Sequence, residues 1–206
     1  MENMSKLEDV PECIEQMLVK YASPKTQAHS RHVAGLSLQL FDTLVTVHRL
    51  DSSWRETVYA AALLHDIGHF ISKRKHHEHG YYLIVNDPLL DEWDGNRRTA
   101  AALAALNHRK PGLRRLDKGL KANRKALKSV ISLVRIADML DYEHEQRVST
   151  VQAAPDPERR TIELKFEGID IFENADPFVQ KLRWVVKVWN MPIRLHNGEQ
   201  KITIDK

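Results

Sequence analysis

The sequence predicts a mainly α-helical bundle followed by a small α+β tail. Apolar residues recur at helical spacing through most of the first 150 positions, and Gly-, Pro- and Asn-containing breaks separate the periodic segments. After Thr150 the pattern changes to strand-like alternation. At 206 residues, with 42% apolar and 29% charged content, the chain can bury one sizeable core and has ordinary globular composition. We divide it into a helical part, residues 1–150, and a C-terminal extension, residues 151–206.

Helices are expected near residues 8–21, 26–49, 53–66, 76–86, 96–108 and 122–143. Ser23-Pro24 and Asp51-Ser52-Ser53 supply the starts of the second and third. Asp94-Gly95-Asn96 and Pro111-Gly112 break the chain around the fifth. In the extension, Ala154-Pro155-Asp156-Pro157 reads as a turn, and Thr161–Phe166 alternates with the period of a strand. A helix from Asp176 to Asn190 puts Phe178, Leu182, Val185, Val186 and Trp189 on one side, and short strands follow around 193–196 and 201–204. A β-α-β-β piece of about 55 residues buries little by itself, so it is expected to cover the helices.

Composition excludes several classes. No apolar run approaches the ~20 residues needed to span a bilayer, so no membrane helix is expected. The opening MENMSKLEDVPE carries acids early and no apolar stretch, against a secretory signal. Cys13 is the only cysteine, which excludes an intrachain disulfide and fits a cytoplasmic location. Net charge is only +3, yet nine basic residues fall between Arg109 and Lys128, with Asp117 the sole acid among them. Arg109, Lys110 and Arg114 read as an anion-binding rim for substrate phosphates. The run has no reading motif or aromatic interleaving, which argues against duplex nucleic acid. Trp184 and Trp189 on the tail helix read as core or interface packing and admit a homodimer.

The chemistry concentrates at His65-Asp66, which closes an apolar helix just before Gly68. An adjacent imidazole and carboxylate there can turn toward one cation from a rigid element. His32 opens a stripe with Leu36, Leu40 and Leu44; Asp138 continues one made by Ile131 and Val134; His108 follows Ala101 and Ala104. A carboxylate on a buried helix face costs on the order of several kcal/mol unless it is paired or metal-bound. His76, at a helix start, is a further candidate, with His77 and His79 competing for the role. His32, His65, Asp66, His76, His108 and Asp138 exceed one mononuclear ligand set, which points to two divalent ions bridged by Asp66. Imidazole and carboxylate donors suit manganese, iron, zinc, cobalt or nickel, with one or two ions left open. His69 reads as a turn or rim residue, Arg31 and Arg135 as makers of structural ion pairs, and Asp141 and Glu143 as a solvated helix end.

The order His32, His65-Asp66, Asp138 resembles the HD superfamily of metal-dependent phosphohydrolases. Five segments extend the likeness: Ser30–Asp42, Ala61–Gly68, His76–Ile84, Asn107–Lys110 and Arg135–Asp141. Together they resemble the C-terminal helical domain of the exopolyphosphatase / guanosine pentaphosphate phosphatase family, over residues 20–200. The resemblance implies an HD-type helical bundle with the small tail packed on it. In that family the phosphatase chemistry belongs to an N-terminal actin-like portion with glycine-rich phosphate loops. This sequence, with eight glycines and no glycine-rich cluster, contains nothing like it, so polyphosphatase activity does not carry over. Many family members look degraded at the metal positions, whereas here all remain.

The expected function is therefore a metal-dependent phosphohydrolase cleaving a phosphate ester or anhydride in a nucleotide, alarmone or polyphosphate-like substrate. Asp66 would be catalytic, taking the proton of the attacking water. The alternative is a non-catalytic module sensing polyphosphate or guanine alarmones. A single-strand nuclease would want a stacking platform that the basic run lacks. A stringent-response hydrolase would want an acidic pair after the dipeptide, where Ile67-Gly68 stands.

Overall fold

Ser23 opens the longest helix by accepting a hydrogen bond from the Thr26 amide, with Pro24 at the first helical position. The computed structural model describes residues 11–109, 123–173, 175–198 and 200–206. Within them the helices are α1 (Glu12–Tyr21), α2 (Pro24–Thr43), α3 (Val45–His48), α4 (Arg55–Leu64), α5 (His76–Asn86), α6 (Gly95–Asn107) and α7 (Arg124–Leu140). The helix expected over 26–49 is divided at Leu44, whose backbone leaves the helical region. Asp51 caps a short 3-10 turn, Ser52–Trp54, that leads into α4.

The middle of the bundle is α4, where every residue from Thr57 to Leu64 is buried. Helices α1, α2, α6 and α7 all pack against it, and α7 is buried from Ser129 to Leu140. His65-Asp66 therefore emerges at the end of the central helix, inside the ring of its neighbours.

Gly68 sets what comes next. The chain turns through Ile67–Phe70, and a Cβ on Gly68 would stand 1.9 Å from the His76 carbonyl oxygen and 2.4 Å from the Gly80 nitrogen. Only glycine permits this contact of backbone on backbone. It lays the start of α5 against the turn and brings His76 beside Asp66.

The extension forms β1 (Val151–Asp156), β2 (Thr161–Phe166), α8 (Ala175–Trp189), β3 (Ile193–Asn197) and β4 (Gln200–Ile204). The sheet order is β1-β2-β3-β4, with antiparallel outer pairs and a parallel β2–β3 pair connected through α8. The turn expected at 154–157 is corrected by this pairing: Ala154 lies opposite Glu163 and Pro155 opposite Ile162. Proline is tolerated because β1 is an edge strand, and the alternating burial of Val151 and Ala153 holds it to the core. The reversal comes at 157–160 instead. Helix α8 packs on α7, and Phe178, Leu182 and Val185 join the same apolar core as the helices. No helix among the described residues is long and apolar enough to cross a membrane.

Candidate metal centre

Five helices deliver six side chains to one place. α2 contributes His29, the end of α4 His65 and Asp66, the start of α5 His76, the end of α6 His108, and α7 Asp138; all six are buried. His29 Nε2 lies 3.3 Å from His65 Nε2, and each is 3.7 Å from Asp138 Oδ1. On the other side, His76 Nε2 lies 3.3 Å from His108 Nε2. Asp66 stands between the two sets. Its Oδ1 is 3.2 Å from His76, 3.6 Å from His108 and 3.7 Å from His65, while its Oδ2 is 3.9 Å from His29.

The outer ring nitrogens explain why the inner ones converge. Nδ1 of His65 bonds the Ala62 carbonyl at 2.7 Å, that of His76 the Lys73 carbonyl at 3.1 Å, and that of His108 the Ala105 carbonyl at 2.6 Å. Nδ1 of His29 bonds Asp141 Oδ2 at 2.7 Å. Each acceptor fixes the proton on Nδ1, so a neutral ring turns the Nε2 lone pair inward. Such outer bonds orient imidazole ligands of metal ions. Donors about 2.1 Å from a shared ion would stand roughly 3–3.5 Å apart, close to the spacings found. His29, His65 and Asp66; His65, His108 and Asp138; and Asp66, His69 and His76 each form a group that could hold a metal ion.

The charges suit a cation as well. Burial pushes the Asp66 carboxyl up, but His65, His69, His76 and His108 hold it well below the usual range. Burial likewise opposes ionisation of Asp138, which Lys181, His29 and His65 reverse. Burial, with His65 adding to it, keeps His108 far below its ordinary value and hence neutral. His29 behaves oppositely: burial disfavours its charge, yet Asp138 and Asp141 raise it to about 9.

His32 is not brought to this cluster; His29 occupies the place expected for it. His32 is half-buried on the side of Val148, and its Nε2 has no hydrogen-bond partner. The reason is helix phase. Residues four apart advance about 40° around a helix at each step, so His32 lies some 120° from Leu44. His29, Val33, Leu36 and Leu40, spaced four, three and four, stay on one face and are all buried.

Of the three α5 histidines, His76 enters the cluster and His77 and His79 do not. Arg109 is exposed, while Lys110 and Arg114 lie outside the described residues. Arg31 pairs with Glu15 at the surface. Arg135 is buried and bonds the Asn107 carbonyl, with its guanidinium 4.2 Å over the Trp184 ring.

Sequence reading missed three neighbours of the site, Asp141, His144 and Lys181, and placed a fourth, His69, only at the rim. Asp141 is buried, bonds His29 and accepts from the Gln146 amide at 2.7 Å. His69 Nε2 sits 3.4 Å from Asp66 Oδ2 with its side chain partly open to solvent. The His144 ring stacks on His29 at 3.6 Å. Lys181 Nζ contacts Asp138. The spacing of His29 with Val33, Leu36 and Leu40 was the one usable signal for any missed residue.

Comparison with known proteins bears on this arrangement. Residues 13–177 match the family described as Ppx/GppA phosphatase, domain III. The chain belongs to this family. The Ppx/GppA domain III match spans all six converging side chains, His29 through Asp138, and ends within α8 before Lys181. No curated protein matches the chain.

Proposed function

We propose that this Ppx/GppA domain III protein is a metal-dependent phosphohydrolase acting on a phosphate ester or anhydride. The observation that carries the reading is the Asp66 carboxylate, set between two pairs of imidazoles whose Nε2 atoms all converge on it or on Asp138. His29, His65, Asp66 and Asp138 would hold one divalent ion; His76, His108 and Asp66 would hold a second. Manganese, iron, zinc, cobalt and nickel all accept such donors. When bound, the ions lower the pKa of water and polarise a phosphoryl group.

The protein's own groups supply the rest. Asp66, held in its ionised form, would orient the attacking water by accepting a hydrogen bond from it as that water gives up its proton. His69, 3.4 Å from Asp66 Oδ2 and partly exposed, offers that proton a way to solvent. The buried walls limit water at the reacting centre. Nucleotides, guanine alarmones and short polyphosphates are the candidate substrates.

The test is phosphate release by manganese- or iron-loaded protein from a panel of these substrates, with Asp66→Ala beside it. Turnover that vanishes in the variant supports the reading. A second reading, a sensor of polyphosphate or alarmones, draws on a cleft of about 660 Å³ over the sheet, lined by Arg147, Lys165, His196 and Lys201. Tight binding without turnover, at full metal content, favours the sensor.

A further inference from the structure

Lys181 approaches the cluster from α8, outside the stretch matched to the family. Its Nζ lies 2.6 Å from Asp138 Oδ2, while Asp138 Oδ1 faces His29 and His65. The carboxylate is thus divided, one oxygen toward the imidazoles and one toward the ammonium. An ammonium carries three donors. Asp138 takes one, the Tyr142 ring stands 5.4 Å away, and no second hydrogen-bond acceptor serves Nζ among the described residues. The side chain is only 14% exposed. The remaining donors of the ammonium are therefore available to a further acceptor beside the cluster.

The lysine is also held in place. One helical turn on, Trp184 lies against Arg135, whose guanidinium bonds the Asn107 carbonyl next to His108. Lys181 with Asp138 and Trp184 with Arg135 form two rungs between α8 and α7, so the ammonium is fixed at the centre rather than swinging at the surface. A fixed cation beside a metal-binding cluster suits an oxyanion.

We propose that Lys181 binds a phosphoryl oxygen of the substrate, which makes the C-terminal extension part of the active site. This rests on the phosphohydrolase reading. Lys181 is then a residue that touches substrate, apart from any effect it has on Asp138.

The experiment compares full-length wild type, Lys181→Met and Lys181→Arg, each loaded with manganese. Three quantities are measured: metal content, affinity for inorganic phosphate by calorimetry, and KM and kcat on whichever panel substrate turns over. Lys181→Met is expected to keep its metal while phosphate affinity falls and KM rises about tenfold or more, with Lys181→Arg recovering part of both. Unchanged phosphate affinity in Lys181→Met overturns the proposal, as does a wild type that binds no phosphate. Loss of metal in both variants also overturns it, because Lys181 would then act only through Asp138. A wild type that binds phosphate through Lys181 yet hydrolyses nothing sinks the phosphohydrolase reading alone.

Discussion

His76 Nε2 and His108 Nε2 face each other at 3.3 Å, although their opposite nitrogens are tied to the backbone carbonyls of Lys73 and Ala105. With both protons held on Nδ1, two lone pairs meet. A cation shared between the rings would turn that repulsion into binding, and the ionised Asp66 carboxylate 3.2 Å from His76 would strengthen it. The His29–His65 pair stands at the same 3.3 Å on the other side of Asp66, but there the His29 ring, its pKa raised to about 9, carries a proton on Nε2 that His65 can accept.

The first prediction separates two histidines three residues apart. His29→Ala lowers manganese affinity about 100-fold or more, since even outer-shell partners contribute 10–100-fold. His32→Ala leaves affinity within about threefold, because its ring points toward Val148. Metal titration followed by elemental analysis distinguishes them. Equal losses in both variants contradict the assignment of His29.

Asp141 would act one bond removed from a bound ion, through its 2.7 Å bond to His29 Nδ1. Asp141→Asn keeps the side chain's shape but weakens the acceptor for His29 Nδ1. Metal affinity is expected to drop roughly 10–100-fold. An unchanged dissociation constant, measured by competition with a coloured chelator, would remove Asp141 from the site.

Metal uptake is expected to depend on pH through His29. Its pKa in the metal-free protein is raised to about 9, above an unfolded value of roughly 6.5. The charged ring therefore stabilises the metal-free fold fully below pH ~6.5, and this contribution is lost as pH rises through about 9. An incoming ion must displace that proton from Nε2. Affinity should rise by up to about tenfold per pH unit between roughly 6.5 and 9, then level off. Calorimetry in buffers of different ionisation enthalpy should show a proton released at pH 7.5; a flat affinity across this window contradicts the prediction.

Two glycines give opposite outcomes on substitution. Gly68→Ala forces a Cβ into the His76 and Gly80 backbone and should destabilise by about 3 kcal/mol or more. Gly35→Ala meets nothing within 4 Å in α2 and should stabilise by about 0.5–1 kcal/mol. Urea unfolding of the metal-free protein reads both. A mild effect at position 68 would mean that the turn and α5 are not in backbone contact.

By itself, the sequence determined the helical class, four of the six converging side chains and the strand over Thr161–Phe166, and it narrowed a fifth to His76, His77 or His79. It could do so because these signals are local. His65-Asp66 ends an apolar helix, Asp138 and His108 sit where their helix faces demand apolar residues, and alternation marks a strand within six residues. Tertiary structure decided the rest. Histidine choice on α2 turned on a phase difference that becomes visible only when the buried face is known. Asp141 looks solvated at the end of α7 until α2 brings His29 against it, 112 residues away in sequence. Pro155 marks a turn unless its strand lies at a sheet edge, where no partner needs the missing N–H. Lys181 reaches Asp138 across 43 residues because α8 folds back on α7. Periodicity records which side of an element is buried, but which neighbour covers that side is settled by packing between distant segments.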